Sequence, residues 1–192
     1  MSVYKLTAYP RQHTLRDGRQ ITIRPLEQGD KDALLAFFLR IPEGERQFLK
    51  QDVASPRTIA SWCEGLDYDR ALPLVALDGE RIVGDAALIR SRHGAYREVG
   101  TVRATVDPEY RSVGLGTTLL RDLCDIAADA DLEKVTSELV AGVQDDAIEA
   151  MEQLGFIRAA TVHEFVRDEH GHPHDLIVMV LPLGKWYQWL QF

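Results

Sequence analysis

Between residues 102 and 120 a β-type run ends in Asp107-Pro108-Glu109-Tyr110 and passes through Arg111-Ser112-Val113-Gly114-Leu115-Gly116 directly into a helical pattern. That junction constrains the fold more than any other stretch of the chain. Leu115, Leu119, Leu120, Leu123, Ile126 and Ala127 recur at helical spacing, so the loop delivers a strand onto the N-terminus of an amphipathic helix. The first N–H groups of such a helix lack internal partners and sit at the positive end of its dipole. They bind phosphate oxygens where glycine lets a ligand approach the backbone. Gly114 and Gly116 supply that access. A Walker loop is excluded because no Gly-Lys-Ser/Thr follows, and a dinucleotide fingerprint is disfavoured because Leu119 fills the third glycine position. From spacing alone, a tight strand-to-helix turn without a ligand explains the two glycines equally well.

The flanking segments define the sheet to which this loop belongs. Arg16-Asp17-Gly18-Arg19 reads as a turn, and residues 21–26 alternate apolar and polar side chains as a half-buried strand does. Asp30 is placed to cap a helix carrying Ala33, Leu34, Phe37 and Phe38, and a second helical stretch covers residues 55–65. Residues 72–77 and 81–89 flank Asp78-Gly79, a two-residue hairpin signal, and residues 98–106 form a further strand. After the helix of the loop, residues 134–140 return as a strand, which implies a parallel crossover. Asp145 or Asp146 caps a helix that stops at Gly155, and residues 156–167 pair with 176–183. The order β-α-α-β-β-β-α-β-α-β-β predicts an α/β (α+β) fold: a mixed, mostly antiparallel central sheet with helices on both faces. One domain over residues 21–183 accommodates it, with an N-terminal extension 1–20 and an aromatic C-terminal tail 184–192.

Charge and cysteine content narrow the partners. With 22 basic and 30 acidic side chains the net charge is −8, so the positive field that non-specific nucleic-acid binding needs is missing. Cys63 and Cys124 lie in mostly apolar helical stretches without metal-type spacing, and they read as buried thiols of a reducing compartment. No apolar run reaches the roughly 20 residues of a membrane span, and residues 1–10 lack a signal-peptide core. The expectation is a soluble, cytoplasmic protein.

The loop motif resembles that of the GNAT superfamily, whose Arg/Gln-x-x-Gly-x-Gly/Ala pattern is matched in full by Arg111, Gly114 and Gly116. The helix preceding Leu154-Gly155-Phe156 resembles the second motif of that family, in the right order and spacing. The resemblance covers residues 21–183. It implies an acetyl-coenzyme A dependent N-acetyltransferase acting on a primary amine, be it a small amine, an amino acid or a protein lysine. It further implies that the segment Arg111, Ser112, Val113, Gly114, Leu115, Gly116 and Thr117 holds the pyrophosphate of the co-substrate, chiefly through backbone amides. Ala104, Thr105 and Val106 would pair with the pantetheine arm like an added strand, and Gln144 stands where an asparagine often contacts the cofactor. In this family the amine attacks the thioester directly. The protein then supplies orientation, oxyanion stabilisation and removal of a proton.

Two positions depart from the family pattern. Met151 occupies the place of the tyrosine that protonates the leaving thiolate, and Thr101 the place of a glutamate base. Glu98 lies three residues before Thr101, about 10 Å along an extended chain, and Glu138 lies on the adjacent strand. Each is a weak candidate base, and the ordinary reading of each is a solvated or salt-bridged carboxylate. The missing acid and base motivate a rival reading, a non-catalytic acyl-CoA sensing or interaction domain. Alternation puts Thr101, Arg103 and Thr105 on one strand face, where Arg103 pairs with either a substrate carboxylate or an internal acid. His170, His172 and His174 read as a solvated hairpin tip rather than a metal site. The aromatic tail packs back on its own domain or forms a homodimer contact.

Overall fold

Eight strands form one sheet in the computed structural model, which describes residues 4–184. In chain order the elements are β1 (Arg11–Thr14), β2 (Gln20–Pro25), α1 (Lys31–Arg40), α2 (Glu43–Arg46), α3 (Pro56–Glu64), β3 (Ala71–Asp78) and β4 (Arg81–Arg90). There follow β5 (Val99–Val106), α4 (Leu115–Asp129), β6 (Lys134–Val140), α5 (Asp145–Gln153), β7 (Ile157–Arg167) and β8 (Pro173–Pro182). The strands lie in the order β1-β2-β3-β4-β5-β6-β8-β7, and β5–β6 is the parallel pair among antiparallel neighbours. This is the mixed, mostly antiparallel sheet expected from the sequence. None of the described helices is long and apolar enough to cross a membrane.

Strand alternation sorts the apolar side chains into two cores. Leu72, Leu74 and Ala76 of β3, Ala86 and Leu88 of β4, and Val102 of β5 point to one face, where Leu115, Leu119 and Leu123 of α4 and Ile148 and Met151 of α5 cover them. Val75, Leu77 and Ile82 point to the other face, against Leu34, Phe37 and Phe38 of α1 and Ile59 and Cys63 of α3. Each of the Val, Leu, Ile, Phe and Met side chains among them contributes about 1.5–3 kcal/mol by leaving water. Both cysteines are buried and free. Burial pushes the Cys124 thiol up to about 12.

Three local details differ from the sequence reading. Residues 11–14 lie in the expected extension, yet they form β1 on β2, and the neighbouring Leu15 is buried in the core. Asp30 precedes α1, but its side chain caps nothing there. It accepts two hydrogen bonds from Arg24 at 2.7 Å and one from the Glu27 N–H at 2.8 Å. Asp78 is still paired, opposite Arg81, so the hairpin loop is Gly79-Glu80, with Gly79 at φ +59°. The expectations for the aromatic tail fall on residues 185–192, outside the described residues.

One feature of the sheet creates an opening. Register between β5 and β6 covers Val99–Lys134, Gly100–Val135 and Thr101–Thr136 and then stops, while β6 stays paired with β8 as far as Val140–Leu176. Residues 102–106 therefore have β4 on one side and a free edge on the other. The last rung is closed by the Thr101 and Thr136 hydroxyls, 3.1 Å apart.

Candidate active site

The free half of β5 runs straight into the glycine loop, and Asp107 fixes the junction. Its carboxylate accepts from Arg40 Nε at 2.7 Å, from Arg81 Nη2 at 3.0 Å and from the Glu109 N–H at 3.1 Å, while its own N–H donates to Val83. Burial pushes the Asp107 carboxyl up, but the Arg40, Glu109 and Arg81 hydrogen bonds outweigh it and hold the group below the ordinary carboxylate value. One buried acid thus ties α1 and β4 to the start of the loop.

Beyond it, Ser112 at φ +60° and Gly114 at φ +93° are left-handed on either side of Val113. Alternating handedness turns successive N–H groups toward one concave side, an anion-binding nest. Gly114 is also the N-cap of α4, so helix geometry leaves the Leu115, Gly116 and Thr117 amides without internal partners. The glycines serve different needs. A Cβ on Gly114 would be left-handed and would meet Arg16, whereas one on Gly116 would meet only Val106 Cγ2 at 3.4 Å. Conformation therefore favours glycine at residue 114 but not at 116, where a Cβ would stand at contact distance from β5.

Arg16 comes from the β1–β2 turn. Its N–H donates to Val113 at 3.1 Å, its Nε lies 3.5 Å from the Gly114 Cβ position, and its guanidinium has no ion pair among the described residues. Arg111, in contrast, is committed: it donates to both carboxylate oxygens of Glu45, at 3.0 and 2.7 Å, and to the Val106 carbonyl.

On the α1/α3 side of the sheet, the opening is bordered by Thr101, Arg103 and Thr105 of β5 and by Thr136 and Glu138 of β6. Residues following α1 roof it. Glu138 accepts from Lys50 Nζ at 2.6 Å, and the β7–β8 tip reaches over through the Glu169 N–H to Gln47 Oε1 at 2.7 Å and through the His174 ring against Phe48. All three histidines of the tip lie near acids: His172 is 3.0 Å and His174 3.5 Å from Asp168, and His170 is 3.9 Å from Glu169.

Most residues expected at the site converge. Ala104, Thr105 and Val106 occupy the free edge of β5, and residues 111–117 follow at its end. Gln144 caps the turn after β6, where its Oε1 accepts from the Val140 N–H at 2.8 Å. Glu98 stands apart, before the far end of β5, where it pairs with Arg97 at 2.9 Å and its carbonyl accepts from the Glu133 N–H. Eight residues of extended chain, about 26 Å, separate it from Val106. Met151 is buried in the α5 core beside Ile148 and Phe156.

Asp85, in the middle of β4, is the acid that sequence reasoning passed over. It opposes Thr105 on β5 and Val75 on β3, and only 4% of it is exposed. Burial pushes its carboxyl up to about 6 against the opposing charge of Arg103. The signal was present: a single charge inside the apolar run Ile82-Val83-Gly84-Asp85-Ala86-Ala87-Leu88.

The chain is similar to known proteins over this whole region. Residues 35–156, well over half of it, match the model of the acetyltransferase (GNAT) family. An acetyltransferase of Pseudomonas aeruginosa is 34% identical over 125 residues, 59% of this chain and 63% of that relative, so the match spans less than two thirds of the relative's length. Among solved structures, a GNAT-family acetyltransferase from Streptococcus pneumoniae superposes with a TM-score of 0.74 at 19% identity, over 85% of this chain and 99% of that one. The structure of yncA from Salmonella typhimurium with its cofactor acetyl-CoA superposes with a TM-score of 0.72 at 20% identity, over 86% of this chain and 95% of that one. At these identities the superpositions speak to the fold, and it is the matched sequence, with its loop and opened strand pair, that shows this chain to belong to the acetyltransferase (GNAT) family.

Proposed function

We propose that the protein transfers an acetyl group from acetyl-CoA to a primary amine, giving an amide and free coenzyme A. The observation that carries this reading is the free edge of β5 leading without interruption into the left-handed loop at the start of α4. The unpaired edge suits the amide groups of a pantetheine arm, and the nest suits a pyrophosphate. Residues 104–106 and 112–117 are the ones that would hold the co-substrate, which supplies the activated acyl group. A backbone N–H of β5 is available to the thioester oxygen. What remains for side chains is the acceptor's proton, because an amine of ordinary pKa, about 10.4, is almost wholly ammonium near neutrality.

Titration calorimetry with acetyl-CoA tests the binding half of the proposal: one site per chain is expected, weakened by added salt. Arg16 adds a graded check. Its guanidinium is exposed and unpaired among the described residues beside Gly114, so Arg16→Gln should lower acetyl-CoA affinity by about two- to fivefold, the usual size of one solvent-screened charge contact. The loss should shrink at high salt. An unchanged affinity would remove Arg16 from the binding surface.

A further inference from the structure

Four aspartates are buried among the described residues, and three of them are compensated. Asp30 holds Arg24, Asp107 holds Arg40 and Arg81, and Asp122 holds Arg11 and the Tyr9 hydroxyl. Asp85 accepts no hydrogen bond and makes no ion pair among the described residues. A buried carboxylate without a partner is costly, and an alanine or asparagine there would cost the fold less. Its position gives it a different use.

Asp85 lies on the sheet face that borders the opening. Across β5 its neighbour is Thr105, and one step along the same face is Arg103, whose guanidinium lies 4.8 Å from the centre of the Trp62 ring and whose Nε is buried without a partner. Neighbouring strands are about 4.8 Å apart, so a chain added to the free edge of β5 runs about 10 Å from β4. An acceptor nitrogen over β5 lies between the two. The other groups around Asp85 do not compete for the role: Val75 flanks it on β3, the Cys63 thiol on α3 is held protonated by burial, and Glu138 on β6 is tied to Lys50.

Resting on the proposed acetyl transfer, we infer that Asp85 receives the proton that the acceptor's ammonium group must lose, on the face it shares with Thr105 and Arg103. The nitrogen gives one proton to the Asp85 carboxylate and bonds to the acyl carbon as the acyl carbon–sulfur bond breaks. It loses its second proton to the departing thiolate, and Asp85 returns its own to solvent. A carboxyl that titrates at about 6 is ionised at neutral pH yet still basic enough for this work.

Asp85→Asn and Asp85→Glu test the inference in the full chain. For Asp85→Asn, kcat/KM near neutrality should fall by about 10² or more, while acetyl-CoA affinity changes by less than about twofold. The wild-type log kcat/KM profile should bend near pH 6, where Asp85 ionises. The Asn variant should lose that bend and rise with unit slope toward the acceptor's own pKa, and the Glu variant, which keeps a carboxylate, should retain one. Stability should move the opposite way from activity. The folded pKa of Asp85 is raised, so its neutral form fits the fold, and the stability present below the ordinary 3.8 is lost as pH rises through about 6. Asp85→Asn should therefore match the wild-type melting temperature in acid and exceed it above that window. An Asn variant that keeps the wild-type rate and the bend near pH 6 overturns the inference while leaving acetyl transfer intact. A wild type that binds acetyl-CoA but acetylates no amine overturns the proposed function, and this inference with it.

Discussion

Gly114→Val is expected to lower acetyl-CoA affinity by about 10²-fold or more without unfolding the domain, because it attacks the nest in two ways at once. The residue sits at φ +93°, where a β-branched side chain is an outlier costing at least about 1–2 kcal/mol. The native loop conformation then gives way to one in which the Leu115, Gly116 and Thr117 amides no longer converge. The Cβ position already stands at contact distance from Arg16, 3.5, 3.7 and 3.8 Å from its Nε, Cγ and Cδ, so the two further methyl groups of valine crowd that side chain. Gly116→Ala is the matched control, since its Cβ makes only a 3.4 Å contact with Val106, and it should bind within about threefold of wild type. Calorimetry on the two variants, with circular dichroism to confirm folding, checks both. Equal affinities for Gly114→Val and wild type would place the anion elsewhere.

Asp107→Ala is expected to be the most damaging single change to stability outside the apolar core. It removes three hydrogen bonds, two of them from arginines, and leaves Arg40 only the Ala36 and Ile82 carbonyls and Arg81 only Glu109 where β5 meets the loop. Charge-assisted hydrogen bonds are worth about 1.5–3 kcal/mol each, and both arginines regain some water, so a net loss of about 3 kcal/mol follows. For a domain of this size that is roughly 6–12 °C in Tm. The pH dependence has a definite sign. Asp107 has a depressed folded pKa, so its contribution is present above the ordinary 3.8 and disappears as pH falls through the folded value. The difference in melting temperature between wild type and variant should accordingly narrow below about pH 4. A constant difference down to strong acid would mean that packing, not the ion cluster, holds the junction.

The loop was legible because its signals are local. Pro108 after Asp107, two glycines and a helical repeat beginning at Leu115 require no knowledge of distant residues, and the structure adds only how the glycines differ. The same holds for β3 and β4, whose apolar runs are long enough to declare themselves, and for β5, whose apolar and polar residues alternate. What stayed hidden depends on contacts distant in the chain. Residues 11–14 are polar and show no strand pattern, and they are held by Arg11 on Asp122 and by a hydrogen bond between His13 and Thr118, both more than 100 positions away. Asp30 is a local miss instead: its place before α1 suggested a cap, whereas Arg24 and the Glu27 N–H, six and three residues back, claim its carboxylate.

The acid–base question was the least legible. Glu98 and Glu138 drew attention because they lie near the family's glutamate position in sequence or on a neighbouring strand. In three dimensions one is paired with Arg97 at the far end of β5 and the other with Lys50. Asp85 sits on a strand that the family motif does not include, and only the register with Thr105 brings it to the opening.

The most direct test of the account is release of free coenzyme A thiol by the full chain given acetyl-CoA and a set of primary amines, followed by mass spectrometry of the acceptor. Thiol release that depends on an amine, with the acetyl group found on its nitrogen, is the predicted result. Tight acetyl-CoA binding with no thiol release above the rate without protein, for small amines, amino acids and lysine peptides alike, would contradict it and make the opened strand pair a binding site without chemistry.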